Sequence, residues 1–387
     1  MKKLALIFGT RPDTIKLAPL VLELRKHPQF FSLVTIATAQ HRTMLDDVLS
    51  VFEIIPDYDL NIMTEKQSLS VLTQTLLLKL DEVLGKEKPD MAIVQGDTAT
   101  TFTASLASFY HKIPVVHVEA GLRTHSKFYP FPEEIFRRLT SHTTDIHCAP
   151  TQKAVKDLRK EGISKEAIFC TGNTVIDALR IVLDKRKDVG HPVLRNLFFE
   201  KKKIVVLTSH RRENWGEPMK EICEAVREVA SLSPDINFVF PVHLNPVVRN
   251  VVKPILTGIE NIHLIDPLNY SDFAHLLSRS HFVISDSGGL QEEAPSLGIP
   301  VLVLRDLTER PEAVTFGTVK LVGTDKREII RYSLKLLNDK KFYNKMSRSI
   351  NPYGDGKASE RIVSALLYHF GFFKMRMKEF LPRGIQK

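Results

Sequence analysis

The sequence predicts an α/β protein with two Rossmann-like, doubly wound domains that face a cleft. Three observations support this class. Strand-like and helix-like segments alternate along most of the chain, as they do in parallel sheets with helical crossovers. The alternation stops at a loose, charged stretch from Asp184 to Lys203 and then restarts. The chain has 387 residues, which is more than one hydrophobic core usually holds.

In the first half of the chain, strand-like and helix-like segments alternate from the first residues onward. The predicted strands are Lys2–Phe8, Ser32–Ala37, Met91–Val94, Pro114–Val118 and Ile146–Ala149. The predicted helices are Asp13–Arg25, Gln67–Leu84, Thr100–His111 and Gln152–Lys160. We assign the first domain to residues 1–170.

The second half begins after the loose stretch, which holds Gly190, Pro192 and many lysines. Its predicted strands are Ile204–Thr208, Ile236–Val242, Ile262–Ile265, Phe282–Ser285 and Val301–Leu304, with helical stretches between them. We assign the second domain to residues 171–354. A C-terminal helix from about residue 355 to 387 is expected to pack back on the first domain, and ligands commonly bind in a cleft between such halves.

The tail from Phe370 to Lys387 mixes Phe and Met with several basic residues. This pattern would suit a surface helix on an anionic membrane. A frayed or docked terminus is the more common case, so we favour it over membrane contact.

The composition is that of a soluble globular protein, with 43% hydrophobic and 26% charged residues. No apolar run reaches the roughly 18 residues of a membrane span. The apolar start is too short for a signal peptide. The cysteines Cys148, Cys170 and Cys223 form no CxxC pair, so we predict a cytoplasmic protein without a disulfide framework or zinc site.

The net charge of +9 is compatible with nucleic acid, a membrane surface or an anionic small molecule as partner. Many small cytoplasmic enzymes are simply basic, however. We predict a small-molecule partner and no nucleic acid.

Two carboxylates follow predicted strands of the first half, where ligands gather in open α/β sheets. Asp97 and Glu119 are one strand–helix–strand unit apart, and a right-handed crossover places such strands in one parallel sheet. As neighbours, the strands would lie roughly 4.8 Å apart. Capping of the next helix could explain Asp97, but not Glu119. Glu133 is a further acid, in a predicted loop after two prolines.

The second half carries a pattern that is typical of phosphate binding. Ser287, Gly288 and Gly289 follow a predicted strand and open a helix, whose N-terminus carries partial positive charge. Glu293 lies further along that helix, within reach of ribose hydroxyls. The cations facing a diphosphate would be Arg11, Lys16, His210 and Arg310. The alternatives are an ordinary SGG loop and solvated basic side chains.

Two familiar cofactor sites are absent from the sequence. No GxGxxG follows a strand, so a bound nicotinamide cofactor is not indicated, and no Walker A sequence is present. No histidine pair has metal-ligand spacing. We therefore predict neither a cofactor nor a metal.

Many motifs of the chain together resemble one family, the bacterial non-hydrolysing UDP-N-acetylglucosamine 2-epimerases. In order, they are GTRPDTIK, AQH, QGDT, HVEAGLRT, PFPEE, TGNTVIDAL, SHRREN, PVHLNP, DSGGLQEEAPSLGIPVL, TERPEA and NPYGDGKASERI. The resemblance covers about residues 2–365. It implies a glycosyltransferase-B-like fold, a homodimer and interconversion of UDP-N-acetylglucosamine (UDP-GlcNAc) and UDP-N-acetylmannosamine (UDP-ManNAc) for cell-envelope polysaccharides. It also implies UDP binding in the second domain and, in many members, activation by UDP-GlcNAc at a neighbouring position.

The resemblance also implies roles for single residues. Asp97, Glu119 and Glu133 would be the acid/base carboxylates, and His210 would support catalysis or contact the diphosphate with Arg11 and Lys16. The remaining implied substrate contacts are Arg137 near the sugar, Phe273 by the uracil, Ser287, Gly288 and Gly289 at phosphate, Glu293 at the ribose and Arg310 at the diphosphate. Gln40, His41 and Gln67 would lie near the activator.

Three positions depart from the family pattern. Asp13 stands where the family usually has Glu, Ala39 where it has Gly, and Phe136 where it has Asn. The first change is conservative. The second affects a turn near the activator position, and the third leaves the polar packing by the catalytic loop in question.

The chemistry of the substrate favours elimination over oxidation. The sugar C2 hydrogen is not acidic, so inversion needs transient oxidation or loss of UDP, and the dinucleotide fingerprint is missing. A carboxylate would remove the C2 proton as UDP leaves, which gives a 2-acetamidoglucal. The alternatives are a glycosyltransferase of the same fold, a hydrolase that releases N-acetylmannosamine, and a non-catalytic nucleotide-sugar sensor.

Overall fold

The computed structural model of the protein describes residues 1–39, 42–63, 67–185 and 189–382. The chain forms two compact units. Unit 1 consists of residues 1–181 with the described residues from Tyr353 onward, and unit 2 consists of the described residues between 182 and 352.

Unit 1 is built on a seven-stranded parallel sheet in the order β3-β2-β1-β4-β5-β6-β7. Its strands are β1 (Lys2–Phe8), β2 (Phe31–Ala37), β3 (Tyr58–Asp59), β4 (Met91–Gln95), β5 (Val115–Val118), β6 (Ile146–Ala149) and β7 (Ile168–Cys170). The helices of this part of the chain are α1 (Arg11–Arg25), α2 (Arg42–Phe52), α3 (Leu69–Glu87), α4 (Ala99–Tyr110), α5 (Glu133–His142), α6 (Gln152–Lys160) and α7 (Thr174–Lys185).

Unit 2 is built on a six-stranded parallel sheet in the order β10-β9-β8-β11-β12-β13. Its strands are β8 (Lys203–Thr208), β9 (Ile236–Pro241), β10 (Ile262–Ile265), β11 (Ser280–Ser285), β12 (Val301–Val303) and β13 (Val319–Leu321). Its helices are α8 (Pro192–Phe199), α9 (Glu217–Ser231), α10 (Pro246–Leu256), α11 (Tyr270–Ser278), α12 (Leu290–Ser296), α13 (Pro311–Phe316), α14 (Lys326–Asn338) and α15 (Lys340–Ser347). The chain then returns to unit 1 as α16 (Ala358–His369).

Each sheet is doubly wound, and the predicted α/β class is confirmed. The strand order reverses between β1 and β4 in unit 1 and between β8 and β11 in unit 2. Ligands of open α/β sheets bind at such reversal points, beyond the carboxyl ends of the strands. The candidate site residues that follow these four strands therefore lie where the topology favours binding.

Central strands of both sheets are buried on both faces. In β1, for example, the residues from Leu4 to Phe8 are at most 1% exposed. Helices cover both sides of the sheet, so the sequence of such a strand is a continuous apolar run. Phe136 of α5 packs into this core, since its ring stacks on Phe102 of α4 with centroids 5.3 Å apart. Its surroundings are therefore apolar, which accounts for a phenylalanine at this position.

The structure corrects three sequence-based assignments. Residues 171–181 belong to unit 1, because Asp177 of α7 accepts hydrogen bonds from the Ala358 and Ser359 N–H groups that open α16. The stretch predicted to be loose contains α8, whose Leu194 and Leu197 are buried. The C-terminal helix ends at His369 instead of reaching residue 387.

The described helices include none that is both long and apolar enough to span a membrane. The described residues after α16 fold along unit 1, where Phe372 packs near Phe30 and Phe31, with ring centroids 5.0 and 6.2 Å apart. The described part of the tail is thus docked on the protein.

Ala39 is fully buried and has φ of +54°, a left-handed conformation that disfavours residues with a Cβ atom. We expect Ala39→Gly to raise the free energy of unfolding by about 1 kcal/mol, because glycine adopts this conformation without strain. Urea unfolding measures the change. Ala37→Gly, in the extended strand β2, is the matched control and is expected to lower stability; a loss at residue 39 as well would contradict the strain argument.

Candidate active site

The Glu119 carboxylate is held by donors from three different segments of unit 1. Lys16 Nζ of α1 lies 2.5 Å from Oε1, Gln95 Nε2 of β4 donates to Oε2 at 2.5 Å, and Asn173 Nδ2 donates to Oε1 at 2.7 Å. The Glu119 side chain is only 5% exposed. Glu119 itself has φ of +64°, so the chain turns sharply where β5 ends. A strained residue with a buried charge is typical of a functional position.

Asp97 follows β4, which pairs directly with β5, so the predicted adjacency of the two strands is correct. The Asp97 carboxylate accepts a hydrogen bond from Nη2 of Arg137 on α5. The Asp97 side chain remains 28% exposed, whereas Arg137 is 5% exposed. Asp97 is therefore oriented by a buried cation while part of its carboxylate still faces solvent.

Two adjacent glutamates at the start of α5 have different environments. Glu134 is fully buried and accepts hydrogen bonds from the Thr124 and His125 N–H groups, which fixes the loop before the helix. Glu133 is half-buried and is the first residue of α5, not a loop residue as predicted. Glu134 therefore anchors the loop before α5.

Asp13 organises the turn between β1 and α1. Its carboxylate accepts from the Gly9 N–H at 3.0 Å and from both the N–H and the hydroxyl of Thr10 at 2.6 Å, which completes a capping box. Burial raises the pKa of Asp13 to about 6, against the opposing effect of these hydrogen bonds. This turn places Arg11, which is half-buried, at the N-terminus of α1.

The three residues predicted near an activator are only partly described. Gln67 is half-buried and immediately precedes the N-cap residue of α3, Ser68. Gln40 and His41 lie outside the described residues.

Two histidines are buried side by side beneath the carboxylates. His117 of β5 pairs in register with His147 of β6, and each is 1% exposed. Nε2 of His117 lies 2.7 Å from the Gly96 carbonyl, in the turn that carries Asp97. Burial, as the main cause, lowers the pKa of His117 to about 4 and that of His147 to about 3.

These depressed values predict acid sensitivity of unit 1. A histidine that is neutral in the folded state contributes stability above the unfolded-state pKa of about 6.5, and this contribution is lost as pH falls toward the folded pKa. For His147 we expect a loss of about 2 kcal/mol between pH 7 and pH 5. Urea unfolding at both pH values should show a smaller change in His147→Gln than in the wild type.

Comparison of the variant with the wild type removes the contributions of other groups from this measurement. Burial raises the pKa values of Asp13 and Asp177 to about 6, and these groups oppose the histidines in part of the same pH range. His27→Gln, just beyond the end of α1, is the matched control and should leave the wild-type pH dependence unchanged. An unchanged pH dependence in His147→Gln would contradict the prediction.

In unit 2, the buried Asp286 organises the loop after β8. It follows β11 and accepts from the Ser209 hydroxyl at 2.8 Å, from the His210 and Arg211 N–H groups at 3.0 Å and from Asn214 Nδ2 at 2.9 Å. Asp286 is completely buried, whereas the His210 side chain is 47% exposed with Nδ1 3.3 Å from Asp286. Loss of solvation lowers the pKa of His210, although the Asp286 charge opposes this effect.

The predicted phosphate loop lies against Arg310. Nε of Arg310 donates to Glu292 Oε1 of α12 at 2.6 Å, and this pair is largely buried. A Cβ atom at Gly288 would lie 2.8 Å from Arg310 Nη1, so a side chain at this position would require the Arg310 guanidinium to shift. The structure thus brings Ser287, Gly288, Gly289 and Arg310 together.

Glu293 and Phe273 lie on the neighbouring helices α12 and α11. Oε1 of Glu293 accepts from the buried Tyr270 hydroxyl at 3.2 Å, and a Cβ atom at Gly289 would lie 3.5 Å from Oε2. Phe273 is half-buried, one turn after Asn269, which caps α11.

Several residues of the site were not predicted from the sequence. They support predicted residues through contacts between distant segments, and they are Gln95, Asn173, Glu134, Tyr270, Asp286 and Glu292. The signal for Gln95 was its place at the last position of β4, directly before Gly96 and Asp97. Among the described residues, no cluster of three or more His, Cys, Asp or Glu side chains is arranged to hold a metal ion.

Comparison with known proteins adds three findings. The family model for UDP-N-acetylglucosamine 2-epimerase matches residues 22–367. The UDP-N-acetylglucosamine 2-epimerase of Bacillus subtilis strain 168 is 52% identical over 382 residues, which cover 98% of this chain and 99% of that protein. The crystal structure of UDP-GlcNAc 2-epimerase from Neisseria meningitidis bound to UDP-GlcNAc is 49% identical, has a TM-score of 0.87 and is matched over 94% of this chain and 99% of its own.

A more distant likeness concerns the fold alone. The glycotransferase of kitacinnamycin is 12% identical, with a TM-score of 0.62 over 94% of this chain and 98% of its own. The expected glycosyltransferase-B-like class is confirmed by this likeness together with the closer relatives. The family match spans most of the chain, and the relatives share about half of its residues. The chain therefore belongs to the UDP-N-acetylglucosamine 2-epimerase family.

Proposed function

We propose that this protein interconverts UDP-GlcNAc and UDP-ManNAc by inverting C2 of the sugar. The observation that carries the proposal is the pair of carboxylates at the carboxyl ends of the adjacent strands β4 and β5, in a chain of this family. Glu119 lies against Lys16 and Asp97 against Arg137, so each acid is oriented by a cation from a helix. Positioned acids of this kind suit proton transfer at carbon.

The proposed reaction is an elimination followed by an addition. A carboxylate, for which we propose Asp97, removes the C2 proton. The electrons of the C2–H bond form a C1=C2 double bond as the C1–O bond breaks, and UDP leaves with the electron pair of that bond. Protonation of C2 from the opposite face and return of UDP to C1 give the epimer, with no net oxidation or reduction.

We assign the remaining residues according to their chemistry. Glu119 and Glu133 complete the acid/base group, and Arg137 orients the acid beside the sugar. We assign diphosphate binding to the Ser287–Gly289 loop and to the basic residues Arg11, Lys16, His210 and Arg310. Positioned cations and N–H donors stabilise the negative charge that develops on the leaving group. Phe273 packs on the uracil and Glu293 binds the ribose.

Three further properties belong to the same proposal. The protein acts as a cytoplasmic homodimer, and its product supplies cell-envelope polysaccharide synthesis. An activating UDP-GlcNAc binds near Gln67, with Gln40 and His41 as the other proposed contacts.

The experiment is incubation of the protein with UDP-GlcNAc in D₂O, followed by NMR. Deuterium at C2 of both UDP-sugars without free sugar supports the proposal, because a C2 proton is exchanged while UDP stays available for return. Release of UDP with free N-acetylmannosamine would indicate a hydrolase. Unlabelled UDP-GlcNAc that is consumed only when an acceptor is added would indicate a glycosyltransferase.

A further inference from the structure

The described tail covers an edge of the unit 1 sheet. The Phe380 N–H donates to the Cys170 carbonyl of the edge strand β7 at 2.8 Å. The Arg376 guanidinium lies over the Phe169 ring, 4.2 Å from its centroid, and donates to the Ile168 carbonyl. Exposed sheet edges offer unpaired backbone groups, and these contacts satisfy two carbonyl groups of this edge.

The same segment holds the loop that follows β7. A Cβ atom at Gly172, where φ is +83°, would lie 3.6 Å from Cγ of Phe380. Arg361 of α16 donates to the Thr171 carbonyl at 3.1 Å, and its guanidinium lies 5.4 Å from the Phe380 ring centroid. The position of this loop therefore depends on Phe380 and Arg361.

Asn173 connects this loop to the Glu119 carboxylate. Its N–H donates to the Tyr353 carbonyl at 2.6 Å, its Nδ2 donates to Glu119 Oε1 at 2.7 Å, and its Oδ1 accepts from the Val175 N–H at 3.2 Å. Asn173 is 2% exposed. A hydrogen bond to a carboxylate is strong where water is excluded, so the Asn173 amide has a large influence on Glu119.

We infer that Asn173 is a positioning residue for Glu119 and that the C-terminal tail, through Phe380, keeps Asn173 in place. The inference rests on the proposed function, because Glu119 belongs to the group to which proton transfer is assigned. The charged and titratable groups around Glu119 include Lys16 of α1 and His117 of its own strand β5. Asn173 is neutral, so it can stabilise the carboxylate without exchanging a proton with it.

The decisive variant is Asn173→Asp, which keeps the shape and the acceptor toward Val175 but replaces the donor by a second carboxylate. We expect kcat to fall by about 10- to 100-fold with KM within about twofold. The acidic limb of the kcat/KM profile should move to higher pH, because a like charge disfavours the ionised form of Glu119. A residue with a purely structural role would not move this limb.

Asn261→Asp in unit 2 is the matched control. The Asn261 amide donates to the Ala230, Ser233 and Ile236 carbonyls at 3.0–3.1 Å, so this change also removes partly buried donors, but at a position to which no role in the site is assigned. It is expected to lower stability and to leave the pH profile where it is in the wild type.

Phe380→Ala tests the role of the tail. We expect a smaller fall in kcat at unchanged KM, and little further fall when Phe380→Ala is added to Asn173→Asp, because both changes act through one hydrogen bond. Effects that multiply in the double variant, or an unmoved pH profile in Asn173→Asp, would overturn the inference.

Wild-type turnover in the same assay separates this inference from the proposed function. If the wild type does not epimerise UDP-GlcNAc, the proposed function and this inference are both overturned. If the wild type is active and the variants behave like the Asn261 control, only this inference is overturned. If Asn173→Asp does not fold, Phe380→Ala decides alone, since an unchanged kcat overturns the inference and a lower kcat at unchanged KM supports it.

Discussion

Asp97→Asn is expected to lose most epimerase turnover, by roughly 10²- to 10⁴-fold, while UDP binding changes by less than about twofold. The substitution keeps the size of the side chain and removes the carboxylate that we assign to C2 proton abstraction. Arg137 still lies near Glu134, with Nη1 3.4 Å from Oε2, so its guanidinium keeps a partner. The residues assigned to UDP binding in unit 2 are not altered.

The measurements are turnover by NMR with UDP-GlcNAc and UDP affinity by calorimetric titration. Asp90→Asn is the matched control, because Asp90 precedes the same strand, β4, at its opposite end, where it accepts from Lys2 Nζ and the Lys3 N–H. This control should retain turnover within about twofold. Wild-type turnover in Asp97→Asn would remove Asp97 from the mechanism and would direct attention to Glu119.

Strand ends could be predicted from the sequence because they follow from local pattern and topology. Asp97 and Glu119 each come directly after an apolar run, and the right-handed crossover rule then places both at one edge of a sheet. The strands β4 and β5 are indeed neighbours. The same reasoning predicted candidate site residues after β8 and β11 in unit 2, namely His210 and the Ser287–Gly289 loop.

The partners of these acids could not be predicted, because they come from distant parts of the chain. Asn173 follows β7, which lies two strands away from β5 in the sheet, yet its side chain contacts Glu119. No local periodicity in the sequence marks this contact. Asp286 directly follows β11, but its role depends on donors that follow β8. Such contacts belong to tertiary packing, which sequence pattern alone does not encode.

Short elements were missed for a different physical reason. The strands β3, β7 and β13 have only two or three residues, too few to show a period. The helix α8 was hidden among lysines and glycine, although its buried leucines are three residues apart. At the start of α5, the two adjacent glutamates differ only in the helix face they occupy, so their burial became clear only in the structure.

Removal of the Asp286 carboxylate is expected to cause the largest loss of stability. Asp286→Ala leaves the His210 and Arg211 N–H groups, the Ser209 hydroxyl and the Asn214 amide without their buried acceptor. Buried donors that lose a charged acceptor cost far more than one exposed hydrogen bond. We expect the free energy of unfolding of unit 2 to fall by about 3–5 kcal/mol.

The protein contains a single tryptophan, Trp215, which directly follows the affected loop. Urea unfolding followed by Trp215 fluorescence therefore reports on this part of unit 2. Asp325→Ala is the matched control, because the exposed Asp325 accepts one hydrogen bond as the N-cap of α14, and its loss should cost about 1 kcal/mol. UDP affinity should also fall in Asp286→Ala, since the loop that carries His210 loses its anchor. If both variants lose the same small amount of stability and bind UDP equally well, Asp286 does not organise the proposed nucleotide site.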